Sequence, residues 1–102
     1  MYTIENLPIA RRDMVDIAKY IGVKRSNPEV AERLADKMIE AAEKLTDMPY
    51  KCPVYIPVKP LRHEYRKLIV QSYIMFYCVD EDKKLVTIAR VVYFGKDYEN
   101  LL

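Results

Sequence analysis

No apolar run in this sequence approaches the ~20 residues that cross a bilayer, so no membrane span is expected. The opening residues, MYTIENLPIA, lack the basic stretch and long apolar core of a secretory signal. Histidine is nearly missing: His63 stands alone, and the two cysteines, Cys52 and Cys78, are far apart in the chain. That excludes a ligand cluster of zinc-finger type, and neither metal nor cofactor is expected. Two cysteines among so many other apolar residues read as core thiols of a cytoplasmic protein, with a single disulfide between them left open. No internal repeat or low-complexity tract is visible.

What is present describes one globular domain over residues 1–102, with 51 % apolar and 31 % charged residues. The net charge of +2 is unevenly spread. Residues 1–50 carry 8 Lys/Arg against 9 Asp/Glu, whereas residues 51–102 carry 9 against 6. The basic part runs from Lys51 to Lys67, where Lys51, Lys59, Arg62, Arg66 and Lys67 face only Glu64. Such a patch is either an ordinary solvated surface or a meeting place for phosphate or an acidic partner.

Residues 2–5 alternate like a short strand. Pro8 then suits the first turn of a helix whose apolar residues Ala10, Met14, Ile17, Ala18 and Ile21 recur at helical spacing, and Gly22 offers a left-handed stop. Asn27-Pro28-Glu29 opens a second helix, with Asn27 placed to cap it. Ala31, Leu34, Ala35, Met38, Ala41, Ala42 and Leu45 form its stripe, widened by Val30 and Ile39. Two amphipathic helices with a short connection predict an antiparallel hairpin that needs another apolar layer.

Four of the six prolines fall in residues 49–60, which reads as an extended connection pinned across the surface. Three strand-like runs follow, over residues 66–70, 73–79 and 85–94. Gln71-Ser72 is short enough for a tight turn without the glycine such turns favour. The middle run is apolar on both faces and so should be central. In the last run alternation puts Arg90 on one face with Val86, Ile88, Val92 and Phe94. The order β-α-α-β-β-β predicts an α+β fold, an N-terminal strand and a two-helix hairpin packed on an antiparallel sheet, ending in a short turn or helix over residues 96–102.

The chain resembles the RelE/ParE superfamily of toxins from type II toxin–antitoxin modules, also known as the plasmid stabilisation protein family. Four pieces carry the likeness, in order. They are Ile17-Ala18-Lys19-Tyr20-Ile21, the Asn27-Pro28-Glu29 helix start, the hairpin over residues 66–81, and the tail Ala89-Arg90-Val91-Val92-Tyr93 with Asp97-Tyr98-Glu99. The resemblance implies a small cytoplasmic toxin held inactive by a cognate antitoxin, whose acidic, disordered segment would fold on the basic patch. The target it implies first is mRNA on the ribosome, cut as RelE-like toxins cut it; the alternative is DNA gyrase, poisoned as ParE-like toxins poison it. An inactive member that only binds its antitoxin and represses its operon is a third reading.

Cleavage of RNA by its own 2′-hydroxyl calls for a base, cations around the crowded phosphate and an acid for the leaving oxygen. Two positions where the family's nucleases carry Arg or His hold Ile74 and Tyr93 here, and a free phenol titrates near pH ~10. The candidate catalytic set is therefore Arg66, Arg90, Tyr93 and Lys96. Arg62, His63, Lys67, Tyr65 and Tyr98 are candidates for holding RNA without a metal. Alternation puts Arg66 and Lys67 on opposite faces. Arg90 reads equally as the partner of a helix acid. All of this presumes that the hairpin lies in the middle of a sheet whose uncovered side is cationic.

Overall fold

Proline begins both helices. In the computed structural model, which describes residues 1–98 and 100–102, α1 covers Pro8–Lys19 and α2 covers Pro28–Glu43. A proline at the first helical position removes an N–H that had no partner inside the helix anyway. Asn27 assists α2 through its backbone, its carbonyl accepting the Ala31 N–H at 3.2 Å, while its side chain makes no capping bond. Gly22 is not the left-handed stop that the pattern predicts. The chain continues beyond α1 as a π-helical turn, Tyr20–Lys24, and the positive φ of 51° falls on Ser26. Ala31, Leu34, Met38, Ala42 and Leu45 are buried as their spacing requires, but Ile39 stays 54 % exposed.

Four strands form one sheet: β1 (Thr3–Asn6), β2 (Arg66–Val70), β3 (Tyr73–Asp80) and β4 (Leu85–Tyr93). Their order is β1-β4-β3-β2, with β1 parallel to β4 and the other pairs antiparallel. The apolar middle run is thus an inner strand, and Ile74, Met75, Phe76 and Tyr77 are all at most 1 % exposed. Gln71 turns the β2–β3 hairpin with φ 54°, a conformation glycine would take more cheaply.

One irregularity redirects half of β4. Phe76 stands opposite Arg90 while Tyr77 stands opposite Ile88, so Ala89 is an extra residue, a β-bulge. Side chains alternate across a strand, and one inserted residue reverses every face beyond it. Val86 and Ile88 therefore face the helices, but Arg90 and Val92 face the other side. Alternation read from the sequence places all four together; the bulge separates them.

Each face of the sheet has its own core. Against the helices lie Leu68, Val70, Met75, Tyr77, Val86, Ile88 and Val91, packed with Leu34, Met38 and Leu45. On the far face Ile74, Phe76 and Val92 are covered by Tyr55 from the proline-rich connection and by Leu61, Tyr65, Tyr98, Leu101 and Leu102. The far side is thus neither uncovered nor chiefly cationic, contrary to expectation. Full burial of a side chain such as Phe76 is worth roughly 1.5–3 kcal/mol, and that gain draws the tail onto the sheet. No helix forms past Tyr93 among the described residues: a turn closes with Leu101 N–H on the Tyr98 carbonyl at 3.1 Å. So short a segment is a poor helix alone, and apolar contact decides its path. Glu99, part of the tail that carried the family likeness, lies outside the described residues.

The proline-rich connection is pinned as predicted, by pairing along the outer edge of β2. Lys67 N–H donates to the Pro53 carbonyl at 3.0 Å, and Tyr55 N–H donates to the Tyr65 carbonyl at 2.7 Å. Proline can accept at such an edge although it cannot donate. On the helix side, the buried Tyr77 hydroxyl donates to the Pro49 carbonyl at 2.7 Å and ties the start of the connection to the core. Tyr77→Phe leaves that carbonyl dry and unpaired. It should lower unfolding free energy by about 1–3 kcal/mol in urea titration, with the slope unchanged.

Candidate functional site

Past Asn6, β1 ends and the outer edge of β4 is open; there Asp13 of α1 takes over. Its carboxylate accepts the Val91 N–H at 2.9 Å, Arg90 Nε at 2.8 Å and a second Arg90 nitrogen at 3.0 Å. Arg90 also donates to the Leu101 carbonyl at 3.3 Å, so it ties helix, strand and tail together. Both partners are mostly buried, at 17 % and 13 % side-chain exposure. The bidentate fork satisfies the charge that burial would otherwise penalise. The alternative of a helix acid as the partner of Arg90 is realised.

Arg66 is engaged as well. It donates to the carbonyls of Cys52 at 2.7 Å and Tyr50 at 3.2 Å, lies 5.0 Å over the Tyr50 ring, and has Glu64 at 3.8 Å. It stands on the helix side, opposite Tyr77, and Lys67 points to the far side as alternation requires. Cys52 and Cys78 are both free, the first buried with the helix-side core. Burial pushes the Cys78 thiol up to about 11, leaving it a poor nucleophile.

Tyr93 and Lys96 share a cleft of about 930 Å³ between the tip of the helical hairpin and the end of the sheet. Asp16, Tyr20, Arg25, Asn27, Gln71 and Tyr73 also line it. The Tyr73 and Tyr93 rings meet edge to face at 5.8 Å. Desolvation, then the neighbouring Tyr93 and Tyr20, raise the Tyr73 phenol above its ordinary value, so it stays protonated. Tyr93 pairs with Tyr73, whereas Arg66 pairs with Tyr77, four residues along β3. That is about 13 Å of strand. Arg90 faces the opposite side. The four candidate catalytic residues thus occupy three separate places, and only Tyr93 and Lys96 line a common cleft.

The candidate RNA-holding residues divide too. Arg62 and His63 are exposed on the connection, with His63 edge-on to Tyr65 at 6.2 Å. Tyr98 packs on Phe76 and Tyr55 at 5.2 and 5.8 Å. Tyr65 is half-buried with its phenol raised, chiefly by desolvation. Sequence reasoning missed Asp13, Tyr20 and Arg25; an acid on the polar face of α1 and the cations after Gly22 were the available signals. At the sheet's other end Glu81 accepts the Tyr2 and Tyr50 hydroxyls at 2.6 Å each and pairs with Lys84. Among the described residues no group of three or more His, Cys, Asp and Glu could hold a metal ion, and no helix is long and apolar enough to cross a membrane.

This arrangement of helical hairpin and four-stranded sheet is the fold of toxins from toxin–antitoxin complexes. Similar solved structures include the chromosomal ParDE system of P. aeruginosa (TM-score 0.68, 17 % identity, 91 % of this chain and 96 % of that one). RelE–RelB of Pyrococcus horikoshii (0.60, 15 %, 93 % and 97 %) and RelBE2 of Mycobacterium tuberculosis (0.58, 24 %, 90 % and 96 %) share it. A search of curated proteins gives no match. Residues 4–98 match the family described as the ParE toxin of the type II toxin–antitoxin system parDE, and the chain belongs to that family. It is a toxin of a type II toxin–antitoxin module.

Two outcomes follow from these contacts. Asp13→Ala strands the Arg90 charge and should cost about 3–5 kcal/mol by chemical denaturation, whereas replacing Asp13 and Arg90 together by apolar residues should cost less. Lys84 first, then the Tyr2 and Tyr50 hydroxyls, lower the Glu81 carboxyl from 4.5 to about 2. A lowered pKa contributes stability that is present above the unfolded value and lost as pH falls toward the folded one. Melting temperatures of the parent and Glu81→Gln should therefore differ most above 4.5 and converge toward pH 2.

Proposed function

We propose that this toxin arrests growth by binding DNA gyrase, as the resemblance to ParE-like toxins implies, and not by cutting mRNA. The observation that carries this reading is the Arg90 clamp. A guanidinium held by both oxygens of Asp13 and by a main-chain carbonyl has little left to offer a transferring phosphate. Arg66 is committed to two carbonyls in the same way. RNA cleavage gains its rate from a base, cations and an acid converging on one phosphorus. Here the residues proposed for those roles are spread over both faces of the sheet.

A toxin that works by contact needs no such convergence. In this reading Arg66 and Arg90 are scaffold residues, and the cationic surface serves protein recognition. The acidic antitoxin segment is then placed in the cleft and not on the patch of residues 51–67 that the sequence suggests: Arg25 and Lys96, beside Asp16, offer it charge partners, and Tyr20 and Tyr93 supply apolar area.

Purified toxin, added at micromolar concentration to gyrase and relaxed plasmid, should block supercoiling or trap cleaved DNA. The same protein in a translation extract should leave transcripts at full length. Truncated transcripts with undisturbed supercoiling would replace this reading by the RelE-like one.

A further inference from the structure

We propose that residues 55–65 form a preorganised knob that seats Ile56 and Val58 in an apolar notch with an acidic rim on a folded protein target. This rests on the reading that the toxin acts by protein contact. Ile56 is 85 % exposed and Val58 83 %. Scattered exposed aliphatics are ordinary, but these two lie two residues apart on one loop.

The loop is held at both ends. The Tyr55 N–H donates to the Tyr65 carbonyl at 2.7 Å and closes it, the Tyr55 ring is buried against Phe76 at 5.2 Å, and Leu61 packs into the same cluster. Pro57 and Pro60 restrict the backbone between those anchors. Side chains that are already presented lose less freedom on binding than those of a floppy loop.

Charge narrows the partner. Lys59 and Arg62 are exposed on the same loop as the two aliphatic tips, and the loop's one acid, Glu64, lies 3.8 Å from Arg66. A cationic collar around an apolar tip matches an acidic rim around an apolar notch. The anchoring favours a folded occupant. A disordered antitoxin segment finds a cleft to fold into between Tyr20 and Tyr93, whereas side chains presented on a loop held at both ends suit a site already formed on the partner. Isoleucine and valine offer no ring for a nucleic-acid base to stack on. Two aliphatic tips are a slender anchor for a lipid surface.

The test uses the full-length chain with Ile56→Ser and Val58→Ser combined, and separately with Lys59→Glu and Arg62→Glu combined. Because these side chains are exposed, thermal unfolding should match the parent. Growth arrest after induction without antitoxin, and gyrase inhibition by purified protein, should each require about tenfold more variant than parent. Binding to the co-expressed cognate antitoxin should be unchanged. Full arrest by the aliphatic variant would overturn the proposal. So would a parallel loss of antitoxin binding, or parent-only binding to anionic phosphatidylglycerol vesicles, which would reassign the knob to those partners. Growth arrest reads the knob whatever the target is: a parent that stops growth while supercoiling continues would sink the gyrase reading alone, and the knob would then stand or fall on arrest by the variants.

Discussion

The extra residue in β4, together with the carboxylate that seals it, governs the arrangement of everything beyond it. Ala89 reverses the faces of the strand, so Arg90 emerges on the side away from the helices. β1 has already ended, leaving the Val91 N–H without a strand partner. Asp13 answers both needs at once, accepting from the backbone and from the guanidinium. A short helix thereby locks to the sheet edge, and through the Leu101 carbonyl so does the tail. Take away that carboxylate and a buried cation, a bare N–H and a loosened tail are left together.

The clamp also bears on chemistry. Catalysis at phosphorus uses cations that are fixed in place yet free to meet developing charge. Arg90 and Arg66 are fixed by partners that already satisfy them, which makes them good architecture. Exposed cations elsewhere are open to recognition, among them Arg25 and Lys96 in the cleft and Lys59 and Arg62 on the connection. Among the described residues, the cleft and the connection thus each carry cations together with apolar or aromatic side chains, the cleft with Asp16 as well.

Much of the scaffold was legible. Pro8, Pro28 and the helical stripes located both helices, and the doubly apolar run located the inner strand. Tyr2 and Glu5 framed β1 to within a residue. The family likeness rested on these same local patterns. Ile39 was misplaced because a stripe's width depends on what lies opposite it, and Gly22 because the chain chose a π-helical turn and let Ser26 take the left-handed conformation.

Residue order alone therefore determined the elements, their sequence along the chain and the separation of Arg66 from Lys67, because period and punctuation are local properties of a polypeptide. Tertiary structure decided which residues meet. The bulge moved Arg90 across the sheet, the proline-rich connection and tail closed the far face, and Tyr93 came to share a cleft with Tyr20 and Arg25. Those outcomes depend on which distant groups satisfy an open edge or an uncovered apolar surface, and no spacing within a single segment encodes that choice.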